Sequence, residues 1–410
     1  MDRYDVIVIG AGVAGLAAAQ ELTKAGESVV VLEAQDYIGG RIKTLRERGV
    51  VEAGAEFVHG EYARTWETIR DAGITTSEWK VSDASIPHRS YGDEGSLRPI
   101  PPALVKEADA LRACVYAYEG PEISLADYLL TQTVSEEARV MVDDALSRLE
   151  ATDADKLSVL GMARASKQAS NGHQNFFLPD GYDRIPEKLA EGLDIRLAHA
   201  VSGIVWKKGD VHITCSNSST FSASSIIITV PLGVLQQARI SFSPELPVSF
   251  TEALGKIGFG QTTKSTFWIR GWVPSFRMLL TRYSLSFWQR TFGEETVVVG
   301  YCGGSLAERL AVLSEKEALE YSLSALADAL GPDIREQVVH ARHFTWSDNP
   351  YIQGAYSYPK LHMGNAREII RTPIEHTIFY AGEATHTSGH AATVHGAIEE
   401  GIDAARRLLG

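Results

Sequence analysis

The first 33 residues constrain the fold of this chain more than any other segment does. Residues 4–9 form a short apolar run that leads directly into a glycine-rich turn, and an alanine-rich segment with helical character follows. A second apolar run, residues 28–32, ends in Glu33. The order strand, glycine turn, helix, strand and acid is that of a βαβ unit that binds a dinucleotide. The sequence therefore predicts a class of cofactor before any substrate is considered.

The three glycines of the turn have distinct predicted roles. Gly10 permits the tight turn out of the strand, Gly12 lets the backbone approach a pyrophosphate, and Gly15 lets the helix pack on the strand. The helix N-terminus adds free N–H groups and the positive end of its dipole. Glu33 is expected to accept hydrogen bonds from ribose hydroxyls, and its charge would repel the additional phosphate of NADP.

Composition limits the partners of the chain. The 410 residues are 44% hydrophobic and 22% charged, which is ordinary for a globular protein and long enough for two domains. The net charge is −13 and no basic block is present, so we expect no nucleic-acid partner. The acidity favours cationic small molecules, although solubility alone would also explain it.

No apolar run reaches the roughly 18 residues that a bilayer crossing needs, so we expect no membrane association. The first strand begins almost at Met1, which leaves no room for a signal peptide, and the three cysteines have no metal-binding spacing. These features predict a cytoplasmic protein with reduced thiols, either a monomer or a homodimer.

The rest of the chain alternates between sheet-like and helical patterns. Residues 61–175 are mixed and polar, with a helical stretch at 134–149, and we interpret them as an insertion that carries substrate-facing surface. Ser314 and Glu317 form a predicted capping box that opens a helix with a stripe of buried leucines. The predicted strands are residues 196–205, 211–215, 225–231, 262–269 and 295–301. Near the C-terminus, Gly396 and Gly401 suggest that a helix closely approaches something flat or charged.

Several motifs taken together resemble the flavin-dependent amine oxidases, which include monoamine and polyamine oxidases, and the polyamine oxidases are the most similar. The motifs are Gly10–Gly15 with Glu33, Gly39–Arg41, Gly54–Ala55 with His59–Gly60, residues 229–235, residues 346–356, residues 382–385 and residues 395–397.

This resemblance implies an α/β fold in which a Rossmann-like FAD-binding domain of the GR2 type is interleaved with an α+β substrate domain built on a mixed sheet. The FAD-binding domain would comprise residues 1–60, 178–235 and 375–410, and the substrate domain residues 61–177 and 236–374. Monoamine oxidases bond the flavin to a cysteine, but Ala355 stands at that position here. We therefore expect FAD to be bound noncovalently.

The resemblance also implies which residues bind the cofactor. Glu33 would bind the adenosine ribose, Arg41 a phosphate, and Val201 the adenine through its backbone. Glu383 would lie near the ribityl–pyrophosphate, and Val394 would meet the pyrimidine edge through its N–H. The remaining predicted cofactor residues are Gly10, Gly12, Gly15, Gly40, Gly54, Ala55, Trp346 and Gly382.

Four residues are the predicted catalytic set by the same resemblance. Lys264 looks like the lysine that holds a water next to flavin N5, although strand alternation also permits it to face outward. Tyr356 would form one aromatic wall, and Thr393 stands where a second ring is expected. Together with Thr393, His59 resembles the animal-type acetylpolyamine and spermine oxidases. A loop histidine bonded to backbone is the alternative for His59.

The implied reaction is oxidation of an amine, either a polyamine or another secondary amine, by hydride transfer to flavin N5. The imine is hydrolysed to aldehyde plus amine, and O2 reoxidises the flavin and yields H2O2. A primary monoamine oxidase remains an alternative, as does an L-amino-acid oxidase, for which Arg64 and Arg89 are candidate carboxylate clamps. A desaturase or porphyrinogen-type oxidase, or a flavin-bearing protein without turnover, fits Lys264 and Tyr356 less well. His386 and His390 are four residues apart, but the segment between them reads as a loop, so we expect no metal.

Overall fold

The computed structural model describes residues 2–79, 89–91, 97–292 and 295–410. The described helices are α1 (Val13–Lys24), α2 (Thr65–Ala72), α3 (Pro102–Tyr116), α4 (Leu125–Leu130), α5 (Glu136–Leu149), α6 (Val159–Gln168), α7 (Arg184–Ala190), α8 (Leu232–Gln236), α9 (Val248–Lys256), α10 (Gly304–Ala311), α11 (Glu315–Leu330), α12 (Ile334–Gln337), α13 (Ala366–Arg371) and α14 (Val394–Leu409). The described strands are β1 (Asp2–Ile9), β2 (Val29–Leu32), β3 (Thr44–Leu45), β4 (Val51–Glu52), β5 (Phe57–His59), β6 (Ser77–Trp79), β7 (Arg89–Tyr91), β8 (Leu97–Pro99), β9 (Asn175–Phe177), β10 (Ile195–Arg196), β11 (Val201–Lys207), β12 (Asp210–Cys215), β13 (Thr220–Ile228), β14 (Ser241–Ser243), β15 (Gly258–Phe259), β16 (Thr262–Arg270), β17 (Leu279–Leu280), β18 (Ser286–Phe292), β19 (Glu295–Gly303), β20 (Val338–Thr345), β21 (Ser357–Tyr358) and β22 (Ile378–Tyr380).

The first large sheet is parallel at its centre and antiparallel on one side. Strands β10, β2, β1 and β13 run parallel, and β22 adds to β13 in the same direction. Strands β12 and β11 continue from β13 as an antiparallel meander, and β14 pairs with β11 in parallel at the edge of the sheet. The central strands are nearly continuous runs of valine and isoleucine because helices cover both faces of the sheet.

Helices α1 and α14 lie side by side on one face of this sheet. Gly401 of α14 permits the contact, because a Cβ atom there would lie 2.1 Å from the carbonyl oxygen of Ala14 in α1. At Gly396 a Cβ atom would lie 1.9 Å from the carbonyl oxygen of His390. The prediction that these two glycines approach a flat or charged group was therefore wrong, because both approach the protein's own backbone.

The second large sheet has the order β20-β16-β19-β18-β17-β7-β8 and is antiparallel except between β17 and β7. Helices α10 and α11 pack against it, and the predicted capping box at Ser314 and Glu317 is confirmed at the start of α11. Helices α3 to α6 build a separate apolar cluster from the predicted insertion. The fold is therefore mixed α/β, with parallel and antiparallel pairing.

The first sheet extends beyond the predicted domain boundary at residue 235. Strand β14 pairs with β11, and helices α9 and α13 pack into the apolar layer under the same sheet. The division of the chain into two discontinuous domains stays a prediction. Among the described residues, none of the helices combines the length and the apolar character that a bilayer crossing requires.

Candidate active site

A cavity of about 1550 Å³ lies between the two large sheets and the helices of the predicted insertion. Residues from both large sheets and from helices α3, α5 and α6 line it. Every residue predicted to bind the cofactor or to act in catalysis lines this cavity, with the exception of Gly15. The structure thus brings together residues that are spread along most of the chain, while their individual roles stay predictions.

The glycine turn has room for a bound group beside it. Gly10 has a φ of +107°, and at Gly12 a Cβ atom would meet nothing within 4 Å. Gly15 lies beneath the turn, where a Cβ atom would be 1.9 Å from the carbonyl oxygen of Gly10. Helix α1 begins at Gly12 without any side-chain cap, so its first N–H groups are left for another acceptor. This geometry fits a pyrophosphate.

Glu33 follows β2 directly and is almost fully buried. Its carboxylate accepts hydrogen bonds from the backbone N–H groups of Ala11 at 2.7 Å and Gln35 at 2.8 Å. Burial raises the pKa of Glu33, and these backbone hydrogen bonds oppose the rise. Each carboxylate oxygen can accept a further hydrogen bond, so the pair can bind the two hydroxyls of a ribose.

Arg41 and Glu383 form an ion pair at the cavity wall. A guanidinium nitrogen of Arg41 donates to Glu383 at 2.9 Å and to the carbonyl oxygen of Ala355 at 2.6 Å. Glu383 also accepts from the hydroxyl of Ser357 at 2.6 Å, and Arg367 donates to that hydroxyl at 3.0 Å. Burial alone would raise the pKa of Glu383, but Arg41, Ser357 and Arg367 together lower it. Arg367 is a member of this cluster that the sequence did not indicate.

Lys264 points inward from β16 and is 7% exposed, which excludes the outward-facing alternative. Its ammonium group donates to the carbonyl oxygens of Glu52 at 3.2 Å and Gly54 at 2.8 Å, and to the carboxylate of Glu56 at 2.8 Å. Burial raises the pKa of the Glu52 carboxyl to about 7. Sequence reasoning missed both carboxyl groups, because only the fold brings β16 against residues 52–56.

Aromatic rings line the cavity around Tyr356. The Tyr356 hydroxyl donates to the carbonyl oxygen of Leu149 at 2.8 Å, so the hydroxyl of Tyr301, also at 2.8 Å, donates to Tyr356. The ring of Trp288 lies 5.9 Å from that of Tyr301, centroid to centroid. Burial raises the pKa of Tyr301 to about 12. The sequence did not predict that the rings of Tyr301 and Trp288 line this cavity. Thr393, which stands where a second ring was expected, uses its hydroxyl as the N-cap of α14.

His59 lies on β5 and faces the cavity. Its Nδ1 is 2.7 Å from the side-chain oxygen of Asn175, an acceptor, so Nδ1 carries the proton and Nε2 is left as an acceptor. Burial lowers the pKa of His59. The alternative of a ring bonded to backbone is wrong, because the partner is a side-chain amide.

Glu150, at the end of α5, is a cavity residue that the sequence did not indicate. Its carboxyl group has no hydrogen-bond or salt-bridge partner among the described residues. Burial raises its pKa to about 7, and its charge acts on the hydroxyls of Tyr116 and Tyr356. A half-buried carboxyl group without a partner beside aromatic rings is suited to receive a cation.

His386, His390 and Glu399 have ligand atoms within 4.8 Å of one another, which is close enough to suggest a metal site. Both rings lie 2.8 Å from one carboxylate oxygen of Glu399, and their other nitrogens accept from the backbone N–H groups of Ser388 and Ser170. A neutral imidazole that binds a metal carries a proton on its other nitrogen. The backbone donors exclude that proton here, so the arrangement does not fit a metal. Burial would raise the pKa of Glu399, but the two histidines lower it to about 2.

Of the two arginines considered as carboxylate clamps, Arg64 is not brought to the cavity. Arg64 forms a salt bridge with Glu67 at 2.9 Å and does not line the cavity. Arg89 lies on β7, and its side chain is outside the described part of the structure.

Comparison with known proteins identifies the family. Residues 13–409 match the model of the flavin containing amine oxidoreductases. The chain belongs to this family. It is 31% identical to polyamine oxidase 3 of Oryza sativa subsp. japonica, over 97% of this chain and 88% of that protein. It is 30% identical to lysine-specific histone demethylase 2 of Homo sapiens, over 98% of this chain and 53% of that protein.

The chain spans about half the length of the histone demethylases that it matches. Solved structures show the same fold at lower identity. Wild-type putrescine oxidase bound to putrescine has a TM-score of 0.85 and 23% identity, with 99% of each chain covered. Cyclohexylamine oxidase from Brevibacterium oxydans IH-35A has a TM-score of 0.83 and 21% identity, with 99% of this chain and 98% of that chain covered.

Proposed function

We propose that this protein binds FAD noncovalently and oxidises an amine, either a polyamine or another secondary amine. The amine carries a second nitrogen that is cationic. The observation that carries the proposal is the continuity of one cavity. It begins at the glycine turn and Glu33, and it also includes the aromatic side chains and the Glu150 carboxyl group.

The cofactor residues fit FAD. Open space beside Gly12 and the uncapped start of α1 suit a pyrophosphate, and the buried Glu33 carboxylate suits a ribose. Ala355 offers no thiol for a covalent bond. When bound, FAD supplies the acceptor for the two electrons and the hydrogen that leave the carbon next to nitrogen.

The chain's own residues bind and orient the amine. The rings of Tyr356, Tyr301 and Trp288 offer their faces to a cation, and Glu150 offers a carboxylate. The reacting nitrogen must be unprotonated, because its lone pair stabilises the positive charge that develops on the carbon. His59, with Nε2 as an acceptor, is the cavity residue best suited to receive that proton.

The balanced overall reaction consumes the secondary amine, O2 and water. It produces an aldehyde, a shorter amine and H2O2. The imine that results from oxidation is hydrolysed by the water, which breaks the carbon–nitrogen bond. The role of O2 as the electron acceptor is part of the proposal, as is the class of amine.

A methylated lysine side chain is the second candidate substrate, because histone demethylases are among the relatives. The share of each relative that the chain covers supports the first candidate. Polyamine oxidase 3 is matched over 88% of its length, whereas demethylase 2 is matched over 53%.

The test is anaerobic bleaching of the flavin band near about 450 nm, a property of the cofactor. The panel contains spermine, spermidine, N-acetylated polyamines, putrescine, a benzylic monoamine, L-amino acids and a methyl-lysine peptide. Bleaching by the polyamines supports the proposal and names the substrate class. Bleaching by only the peptide, the monoamine or the amino acids would contradict it and assign the corresponding alternative.

A further inference from the structure

Asn175 stands directly opposite His59 on the neighbouring strand. Strands β5 and β9 pair in an antiparallel ladder, and its register places His59 beside Asn175. Side chains of such a pair lie on the same face of a sheet and interact with each other. The side-chain oxygen of Asn175 is 2.7 Å from Nδ1 of His59, so it accepts a hydrogen bond from that nitrogen. Both residues line the cavity.

The backbone on either side of this pair is also held in place. The side-chain amide of Asn171 donates to the carbonyl oxygen of His59 at 2.8 Å. The Glu61 carboxylate accepts from the backbone N–H groups of His173 at 2.9 Å and Gln174 at 3.1 Å. Residues 171–174 therefore wrap around the turn that follows β5, and they fix the backbone that carries the imidazole ring.

The two ring nitrogens of His59 have different surroundings. Nδ1 contacts the Asn175 oxygen, an acceptor, whereas Nε2 has no hydrogen-bond partner among the described residues. A neutral imidazole carries its proton on the nitrogen that meets an acceptor, and the other nitrogen keeps its lone pair. Because the side chain is exposed at the cavity, that lone pair is accessible to a bound amine.

We propose that Asn175 is a positioning residue that holds His59 in the tautomer whose Nε2 accepts an N–H hydrogen of the bound amine. The inference rests on the amine oxidation proposed above and deepens it, because it names the group that orients the acceptor. In this role Asn175 acts through the imidazole ring and does not touch the substrate. With the other tautomer, an Nε2–H group would donate to the lone pair of the amine nitrogen, which the oxidation requires to be free.

Nitrogen NMR of the imidazole rings in the holoenzyme measures the tautomer directly, and His59→Gln identifies the signals of His59. In the wild type we expect the form that carries its proton on Nδ1. Asn175→Leu removes the acceptor, so a mixture of both tautomers should replace this single form. These measurements need no amine, so failure of the proposed substrate class would not affect them.

Asn175→Asp keeps the acceptor and adds a negative charge beside Nδ1. A carboxylate at this distance stabilises the imidazolium, so the pKa of His59 should rise by about 1 or more. In the wild type burial lowers that pKa, and the ring must be neutral to accept from the amine. The acidic limb of kcat/KM against pH should therefore move upward by the same amount as the pKa that NMR measures.

The other ionisable groups on the elements around His59 keep their charge in all variants. The pKa of His395 in α14 is lowered to about 3, chiefly by burial, so its ring stays neutral. Hydrogen bonds from backbone N–H groups lower the pKa of Glu61, so its carboxylate stays charged. Arg277, which packs on β6, stays protonated, and the exposed His173 has the same surroundings in each variant.

Gln174→Glu is the matched control. Gln174 precedes β9, is exposed and does not line the cavity, so the variant adds the same charge without contacting the ring. Solvent screens such a charge, and the pKa of His59 should move by less than about 0.3.

The wild-type tautomer decides the matter even if Asn175→Asp does not fold. A proton on Nε2 in the wild type would overturn the proposal, as would an unchanged tautomer in a folded Asn175→Leu variant. An unchanged pKa of His59 in a folded Asn175→Asp variant would also overturn it. If that pKa rises while the acidic limb of kcat/KM stays in place, the result would instead contradict the proposed contact between His59 and the amine.

Discussion

Among single side chains, Glu150 gives the sharpest test of the substrate class. Glu150→Gln should raise the KM for a diamine about 10- to 100-fold, because a hydrogen bond to a charged group is worth about 1.5–3 kcal/mol. A monoamine of similar size should show a much smaller change in KM. Arg64→Ala is the control, because Arg64 lies outside the cavity. Equal effects of Glu150→Gln on the KM of both substrates would contradict the proposal that Glu150 binds the second cationic nitrogen.

The same carboxyl group predicts a pH dependence. The pKa of Glu150 is raised to about 7 by burial, so the group gains its charge as the pH rises through about 7. In the wild type, the affinity for a diamine that remains doubly protonated should improve across this range. In Glu150→Gln the improvement should be absent. Deprotonation of the amine affects both proteins alike, so the ratio of the KM of Glu150→Gln to that of the wild type should rise between about pH 6 and pH 8.5.

His395 predicts a dependence of stability on pH. Burial, together with the neighbouring His390, lowers its pKa to about 3 from an ordinary 6.5. Between these values the unfolded chain binds a proton that the folded chain does not, so stability falls as the pH decreases through this window. His395→Leu should remove up to about 1.4 kcal/mol of slope per pH unit from the free energy of unfolding. Urea unfolding at several pH values measures the slope, with the exposed His212→Gln as the control.

The site residues that were predicted from the sequence and those that were not differ in how their side chains reach the cavity. Glu33 and Arg41 belong to local patterns in which a turn or a strand end fixes the side chain, so spacing identifies them. Glu150 and Arg367 reach the cavity only because distant segments pack together. Nothing in their neighbouring letters distinguishes them from surface charges, so tertiary structure was needed to find them.

At the scale of elements, the contact between α1 and α14 depends on Gly401. Gly401→Ala would place a methyl group 2.1 Å from the carbonyl oxygen of Ala14, so the helices must shift. We expect a loss of about 1–3 kcal/mol in the free energy of unfolding. Gly255→Ala in α9 is the matched control, because its Cβ atom would meet nothing within 4 Å and alanine should gain about 0.5–1 kcal/mol. Equal stability of the two variants in urea would refute the close contact.

Some of the predicted strands were found close to their expected bounds, and others were not. Residues 262–269 were expected as a strand, and β16 covers Thr262–Arg270. The predicted strand at 196–205 is two strands, because Ala198 has a φ of +57° and interrupts the chain between β10 and β11. Strand β13 begins at Thr220, earlier than expected, because its polar first half pairs with the meander strand β12. Pairing partners are a tertiary property that local periodicity does not contain.

For the whole molecule, the cavity ties distant parts of the chain to one ligand. Its walls come from the first sheet, from β16 in the second sheet and from the helices of the insertion. A cofactor held by the residues predicted to bind it would join the glycine turn to residues near the C-terminus, so its binding energy should stabilise distant parts of the chain together. The resemblance to a family located this site from motifs at both ends of the chain, whereas the division into two discontinuous domains stays a prediction.

Removal and return of FAD test this coupling. At free FAD of about 100 times its Kd, the apoprotein should gain about 2.7 kcal/mol, and its unfolding should remain a single transition. Because Ala355 offers no thiol, acid precipitation should release all of the flavin into the supernatant, where its absorbance is measured. Flavin that stays with the pellet would show a covalent bond elsewhere in the chain, and two separate transitions would show that the cofactor stabilises only one layer.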